Sequence, residues 1–176
     1  MTDDAVTEHK SQRLFSGKRF VVDSMLGKLA KWLRVLGFDT RYENLNCPRQ
    51  LDEYAHRGYR ILTRNRRWAG HPATVWVTGD HAAEQLRHVV ITLTITPEEV
   101  HLKCRCLRCN ICLEQVPRAE VEGRVPDYVF ENCADFYHCP ECRRLFWAGT
   151  HPSRMDQWLR TTLGWSLTSE PQGDPL

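Results

Sequence analysis

Between Arg19 and Val90 the chain alternates strand-like runs with amphipathic, helix-like stretches, and this alternation narrows the fold more than any other feature of the sequence. RFVVD is a short apolar run suited to a buried strand, and it ends in Asp23. Ser24 suits a helix cap. Leu26, Leu29, Leu33 and Leu36, at steps of three and four, predict the apolar stripe of a helix that Gly37 stops. Lys28, Lys31 and Arg34 fall on the opposite arc, so this helix buries leucines and shows cations to solvent. The pattern continues with DTRYE as a strand, PRQLDEYAHRG as a helix opened by Pro48 and stopped by Gly58, then YRILTR and TVWVTG as strands. DHAAEQLRHVV closes it as a helix that Asp80 can cap. Strands alternating with helices predict an α/β fold built on a parallel sheet.

In such sheets ligands bind outside the carboxyl ends of the strands. Asp23, Asn65 and Asp80 each follow directly on a predicted strand, so they can converge on one edge. Carboxylates gathered there suit hard divalent cations such as Mg²⁺ or Mn²⁺, which take oxygen ligands, activate water and hold a phosphate oxygen. Arg64, Arg66, Arg67, Lys28 and Lys31 lie close enough in sequence to supply phosphate contacts. The plainer role of an Asp at a strand end is to cap a turn, and a basic helix face is usually a solvated one. Neither G-x-G-x-x-G nor G-x-x-x-x-G-K-[ST] occurs, which argues against a dinucleotide or P-loop site.

The formal charge of +2 announces no polyanion partner by itself, so a nucleic-acid case rests on the local clusters KLAKWLR, TRNRRW and KCRCLRC. With 41% hydrophobic and 26% charged residues the composition is that of a soluble folded protein. No apolar run approaches membrane-helix length, and MTDDAVTEHK does not read as a signal peptide, so a cytoplasmic location is expected.

Seven of the eight cysteines lie between Cys104 and Cys142, where metal ligation is a better reading than disulfides. CRCLRCNIC and HCPEC give two Cys-x-x-Cys knuckles that suit a tetrahedral, structural Zn²⁺ with all four places filled. For the first knuckle Cys106/Cys109 and Cys109/Cys112 both fit; the polar residues that follow, with Asn110 turning the chain, favour the former. EVEGRVPDYVF fills the gap between knuckles as a strand and loop. Phe146 and Trp147 suit the small ribbon core better than base stacking, and His151 suits a turn. The expected divisions are a tail over 1–17, the α/β domain over 18–97, the zinc ribbon over 98–163 and a tail over 164–176.

FVVDSMLGKLAKWLRVLGFDT, YRILTRNRRW, TGDHAAEQL, RCLRCN and FYHCPECRRLFWAGTHPSRM, in that order, resemble the Mut7-C RNase domain family. The resemblance implies a PIN-like three-layer α/β/α domain with a parallel sheet, followed by a small zinc ribbon with Cys106, Cys109, Cys139 and Cys142 as ligands. It also implies a Mg²⁺- or Mn²⁺-dependent nuclease with RNA as substrate, and the reading preferred here is a ribonuclease that favours single strands. Asp23 then matches the first acidic ligand and Asp80 the later one. Where related sequences often read TRD, this chain has Asn65, and Asp52, Glu53 or Glu84 would have to supply the missing carboxylate. Lys28, Lys31, Arg34, Arg64, Arg66 and Arg67 would contact the RNA. Asn65 also supports a rival: a catalytically impaired RNA- or ribosome-binding protein. A toxin-like member with an antitoxin-like protein partner is a third reading.

Overall fold

A computed structural model describes residues 17–102, 104–147 and 152–165, the side chains of 152–154 and 156 excepted. Strands β1 (Arg19–Asp23), β2 (Asp39–Glu43), β3 (Tyr59–Thr63) and β4 (Thr74–Trp76) form a sheet in the order β2-β1-β3-β4. Every pairing is parallel, as the alternation of elements requires. β1 is buried along almost its whole length, and its side chains divide by parity. Phe20 and Val22 join Leu26, Leu29 and Leu33 of the first helical stretch and Leu86 and Val89 of the later one. Val21 turns the other way, with Ile61 and Leu51. Helices α1 (Gly27–Val35) and α3 (Ala82–Thr92) therefore cover one face, α2 (Pro48–His56) covers the other, and the central strands carry apolar residues on both sides.

The caps differ in detail from the sequence expectation. Asp23, not Ser24, opens the turn after β1: its Oδ1 accepts the Ser24 N–H at 2.8 Å, and a 3₁₀ turn over Ser24–Leu26 precedes α1. Before α3 the Glu84 carboxylate accepts the N–H groups of Asp80 at 3.0 Å and His81 at 3.3 Å. That frees the Asp80 side chain from capping. Gly37 ends α1 at φ 95°, where a side chain would be strained and would also collide with the His101 carbonyl.

The cysteine-rich segment folds around a three-stranded antiparallel sheet of β5 (Glu114–Val116), β6 (Phe136–His138) and β7 (Leu145–Trp147). Val121, Val125 and Phe136 form its small core, with Trp147 packed against it; Phe146 is half-buried and lies outside that cluster. The stretch EVEGRVPDYVF, expected as a strand and loop, holds no strand. The chain there makes a 3₁₀ turn over Arg118–Glu120 and a short helix α4 (Asp127–Asn132), because Pro126 fixes φ near −58° just ahead of the first turn and Asp127 favours a helix start.

The largest departure lies at the C-terminal side. Helix α5 (Pro152–Leu163), assigned to the ribbon from sequence, packs on the α/β layer instead: Leu159 is fully buried in the α1/α3 core, with Met155, Trp158 and Leu163 beside it. The Trp158 ring stacks on Trp32 of α1 at 3.6 Å, and Arg87 of α3 donates to the Thr162 carbonyl at 2.9 Å. Trp165, read as tail, also packs there. His151 lies outside the described residues.

Candidate functional site

β1 delivers Asp23 to the carboxyl edge of the sheet and buries it, with 3% of its surface exposed. Its Oδ2 accepts the Thr63 hydroxyl at 2.6 Å, and that same hydroxyl oxygen accepts the Asn65 N–H at 2.9 Å. Among the described residues no Lys, Arg or His forms an ion pair with this carboxylate. A buried carboxylate held by neutral donors alone is costly and favours a cation beside it.

Strand register adds a second acid that sequence reasoning missed. Asp23 pairs with Glu43 at the end of β2, and residues directly paired in a parallel ladder face the same way. Glu43 reaches towards α2: burial, and then the Glu43 carboxylate, raise the Tyr54 hydroxyl above its ordinary pKa. The acids proposed from sequence to replace the missing one stand elsewhere. Glu53 is exposed on α2 and pairs with Arg49 at 2.9 Å, Asp52 meets His71 at 3.2 Å, and Glu84 is committed to its cap. The two backbone N–H groups that Glu84 accepts hold its pKa low. Asn65 uses its amide oxygen to accept the Arg67 N–H at 3.0 Å, which caps the 3₁₀ turn Arg66–Trp68.

Asp80 is exposed and pairs with Arg64 at 3.0 Å. It lines a cleft of about 520 Å³ between the starts of α1 and α3, together with Met25, Gly27, Lys28, His81 and Gln85. Lys28 and Asp80 thus share one opening, and Lys31 is exposed along α1. Arg66 and Arg67 are exposed beside aromatic rings, 5.8 Å from the centre of Trp76 and 4.6 Å from that of Trp68. Arg34 does not join this surface. It donates to the carbonyls of Thr40 at 2.9 Å, Leu107 at 2.8 Å and Arg108 at 3.2 Å, so the expected RNA contact is a pin between α1 and the first knuckle.

Among the described residues, the one gathering of three or more His, Cys, Asp or Glu able to hold a metal is Cys106, Cys109, Cys139 and Cys142, whose sulfurs lie within 4.8 Å of one another. Cys106/Cys109 is therefore the first knuckle, and Cys112 is not in the set. The two knuckles share one backbone device. The Asn110 N–H bonds to the Cys106 carbonyl and the Arg143 N–H to the Cys139 carbonyl, both at 2.8 Å, with Asn110 and Arg143 at positive φ. Burial and the neighbouring thiols push Cys109 up to about 12, whereas the Arg144 backbone N–H draws Cys142 down to about 7. Four sulfur donors this close could hold a metal ion, and such a donor set suits Zn²⁺.

The knuckle is bound tightly to the α/β domain. Asn110 donates to Asp39 at 2.6 Å and accepts the Thr40 N–H at 2.9 Å, and Arg105 donates to the Gly37 carbonyl at 2.8 Å.

A parallel-sheet α/β domain with a buried carboxylate at its carboxyl edge, joined to a four-thiol cluster that could hold a metal, makes a two-part protein. The chain belongs to the Mut7-C RNAse domain family, whose family model matches residues 18–159. That membership suggests a nuclease-type function. The chain is also similar to the chromobox protein homolog hpl-1 of Caenorhabditis elegans, at 30% identity over 95 residues that cover 51% of this chain and 50% of that protein. It thus spans about half the length of that curated relative. No solved structure matches. Among the described residues no helix is long and apolar enough to cross a membrane.

Proposed function

We propose that the chain is a PIN-like, Mg²⁺- or Mn²⁺-dependent ribonuclease that hydrolyses single-stranded RNA in the reducing cytoplasm, with a Zn²⁺-bound ribbon as its structural partner. The observation that carries this reading is Asp23: a buried carboxylate, held by Thr63 and Ser24 and without an ion pair among the described residues, at the sheet edge where ligands bind. Glu43, its register partner on β2, offers a second hard oxygen donor for a divalent ion, and Asp80 borders the cleft. An ion bound there supplies the Lewis acid for phosphodiester hydrolysis. Thr63 orients Asp23, Lys28 at the cleft binds a phosphate, and Arg66 and Arg67 attract the chain of the polyanion.

A second reading, an RNA- or ribosome-binding protein with impaired chemistry, is favoured by Asn65, which brings no charge and whose oxygen is occupied by its cap. Cleavage of a mixed RNA pool with Mn²⁺, beside Asp23→Ala at matched zinc content, separates the two. Cleavage that disappears in the variant supports the nuclease. RNA retained by both proteins and cut by neither sinks it and leaves the binding role.

A further inference from the structure

Trp76 ends the edge strand β4 with 43% of its surface exposed, and it belongs to none of the three apolar clusters of the described residues. A lone exposed aromatic needs no ligand to explain it. What distinguishes Trp76 is its company. It pairs in register with Thr63, the residue that holds Asp23, and Asp23 pairs with Glu43. Glu43, Asp23, Thr63 and Trp76 therefore stand in one row across the carboxyl edge of the sheet, on the side covered by α2. Two strand spacings put the Trp76 backbone about 10 Å from that of Asp23.

Arg66 supplies the second half of the arrangement. Its guanidinium lies over the Trp76 ring at 5.8 Å from the centre, a looser cation–π contact than the 4.6 Å of Arg67 over the buried Trp68. The Arg66 side chain is exposed and makes no ion pair or hydrogen bond among the described residues, whereas that of its neighbour Arg64 is paired with Asp80. A π-face with an exposed, planar cation loosely held beside it is complementary to a nucleotide: the ring takes an unpaired base and the guanidinium takes the adjoining phosphate.

We propose that Trp76 and Arg66 form a base-stacking subsite for single-stranded RNA, which sets an unpaired nucleotide beside the Asp23 row. This deepens the ribonuclease reading by naming what selects unpaired strands: a base inside a duplex has no free face to offer the ring. The subsite is sequence-tolerant, since every base presents a π-face.

The test is binding, measured by fluorescence anisotropy, of a short labelled oligouridine and of an abasic strand of the same length, without added divalent ion. Trp76→Ala is expected to weaken oligouridine binding by about fivefold to a hundredfold, the worth of one base–aromatic stack, and to leave the abasic strand unchanged. Trp76→Phe keeps most of the affinity and guards against a folding defect in the alanine variant. Arg66→Gln weakens both strands and flattens their salt dependence. Equal loss on both strands in Trp76→Ala, no loss on either, or no measurable oligouridine binding by the unaltered protein each overturns the subsite. Failure of the ribonuclease reading shows separately, as absent Mn²⁺-dependent cleavage by a protein whose oligouridine binding still depends on Trp76.

Discussion

At the scale of single residues, the carboxyl edge carries a structural load alongside the function proposed for it. Asn65 caps the turn at Arg66–Trp68 through its side-chain oxygen, a role that Asp performs about equally well. Asn65→Asp is therefore expected to change unfolding stability by less than about 0.5 kcal/mol. If a missing charge limits the site, it raises Mn²⁺-dependent cleavage. An unchanged rate with an unchanged melting curve would show that position 65 serves only the turn. Asp23→Ala also removes the acceptor of the Thr63 hydroxyl, at a cost of about 1–3 kcal/mol, so Asp23→Asn belongs beside it as the milder variant. Glu43→Gln keeps the shape and removes the charge. Weaker Mn²⁺ binding at an intact melting temperature is the expected result, and isothermal titration reads it.

At the scale of elements, the structure turns on what covers each amphipathic face. The leucine stripe of α1 and the division of β1 into two apolar faces follow from local spacing, and they are legible in the sequence. Arg34 is not: a helical wheel places it on the polar arc, but the knuckle, some seventy positions later, supplies carbonyls to that arc. Glu43 was missed for the same reason, since alternation shows which residues share a face within a strand and says nothing of which residue lies opposite in the next. Nor does the spacing of Met155, Trp158, Leu159 and Leu163 say which core it covers, and proximity in sequence pointed to the wrong one. Leu159→Ala should test that placement. A fully buried leucine lost from the α1/α3 core costs about 2–5 kcal/mol, visible as a lower denaturant midpoint for the α/β layer while unfolding of the cysteine-rich segment is unchanged. If α5 belonged to the ribbon, the loss would appear in the unfolding of that segment instead.

At the scale of the whole molecule, two unlike domains meet through a polar joint, and pH gives a handle on it. Burial would raise the Asp39 pKa, but hydrogen bonds from Asn110, Tyr59 and Arg19 outweigh it and leave the group below its ordinary value. A carboxylate depressed on folding stabilises the native state above its unfolded pKa of about 3.9, and that contribution disappears as pH falls through the lower, folded value. The difference in stability between the unaltered protein and Asp39→Asn should therefore be full at neutral pH and shrink below about pH 4. A difference that stays constant over that range would remove Asp39 from the joint. The same contact guards the outer rim of the sheet. β2 is an edge strand, and at Thr40 its outward N–H is taken by Asn110 and its carbonyl by Arg34, which the knuckle also holds. An open edge of this kind invites another strand to add to it. The ribbon thus acts as a chaperone built into the chain, and if the four-cysteine cluster holds a metal, removing it should bare this edge as a template for self-association, seen as light scattering that rises with protein concentration once a chelator is added.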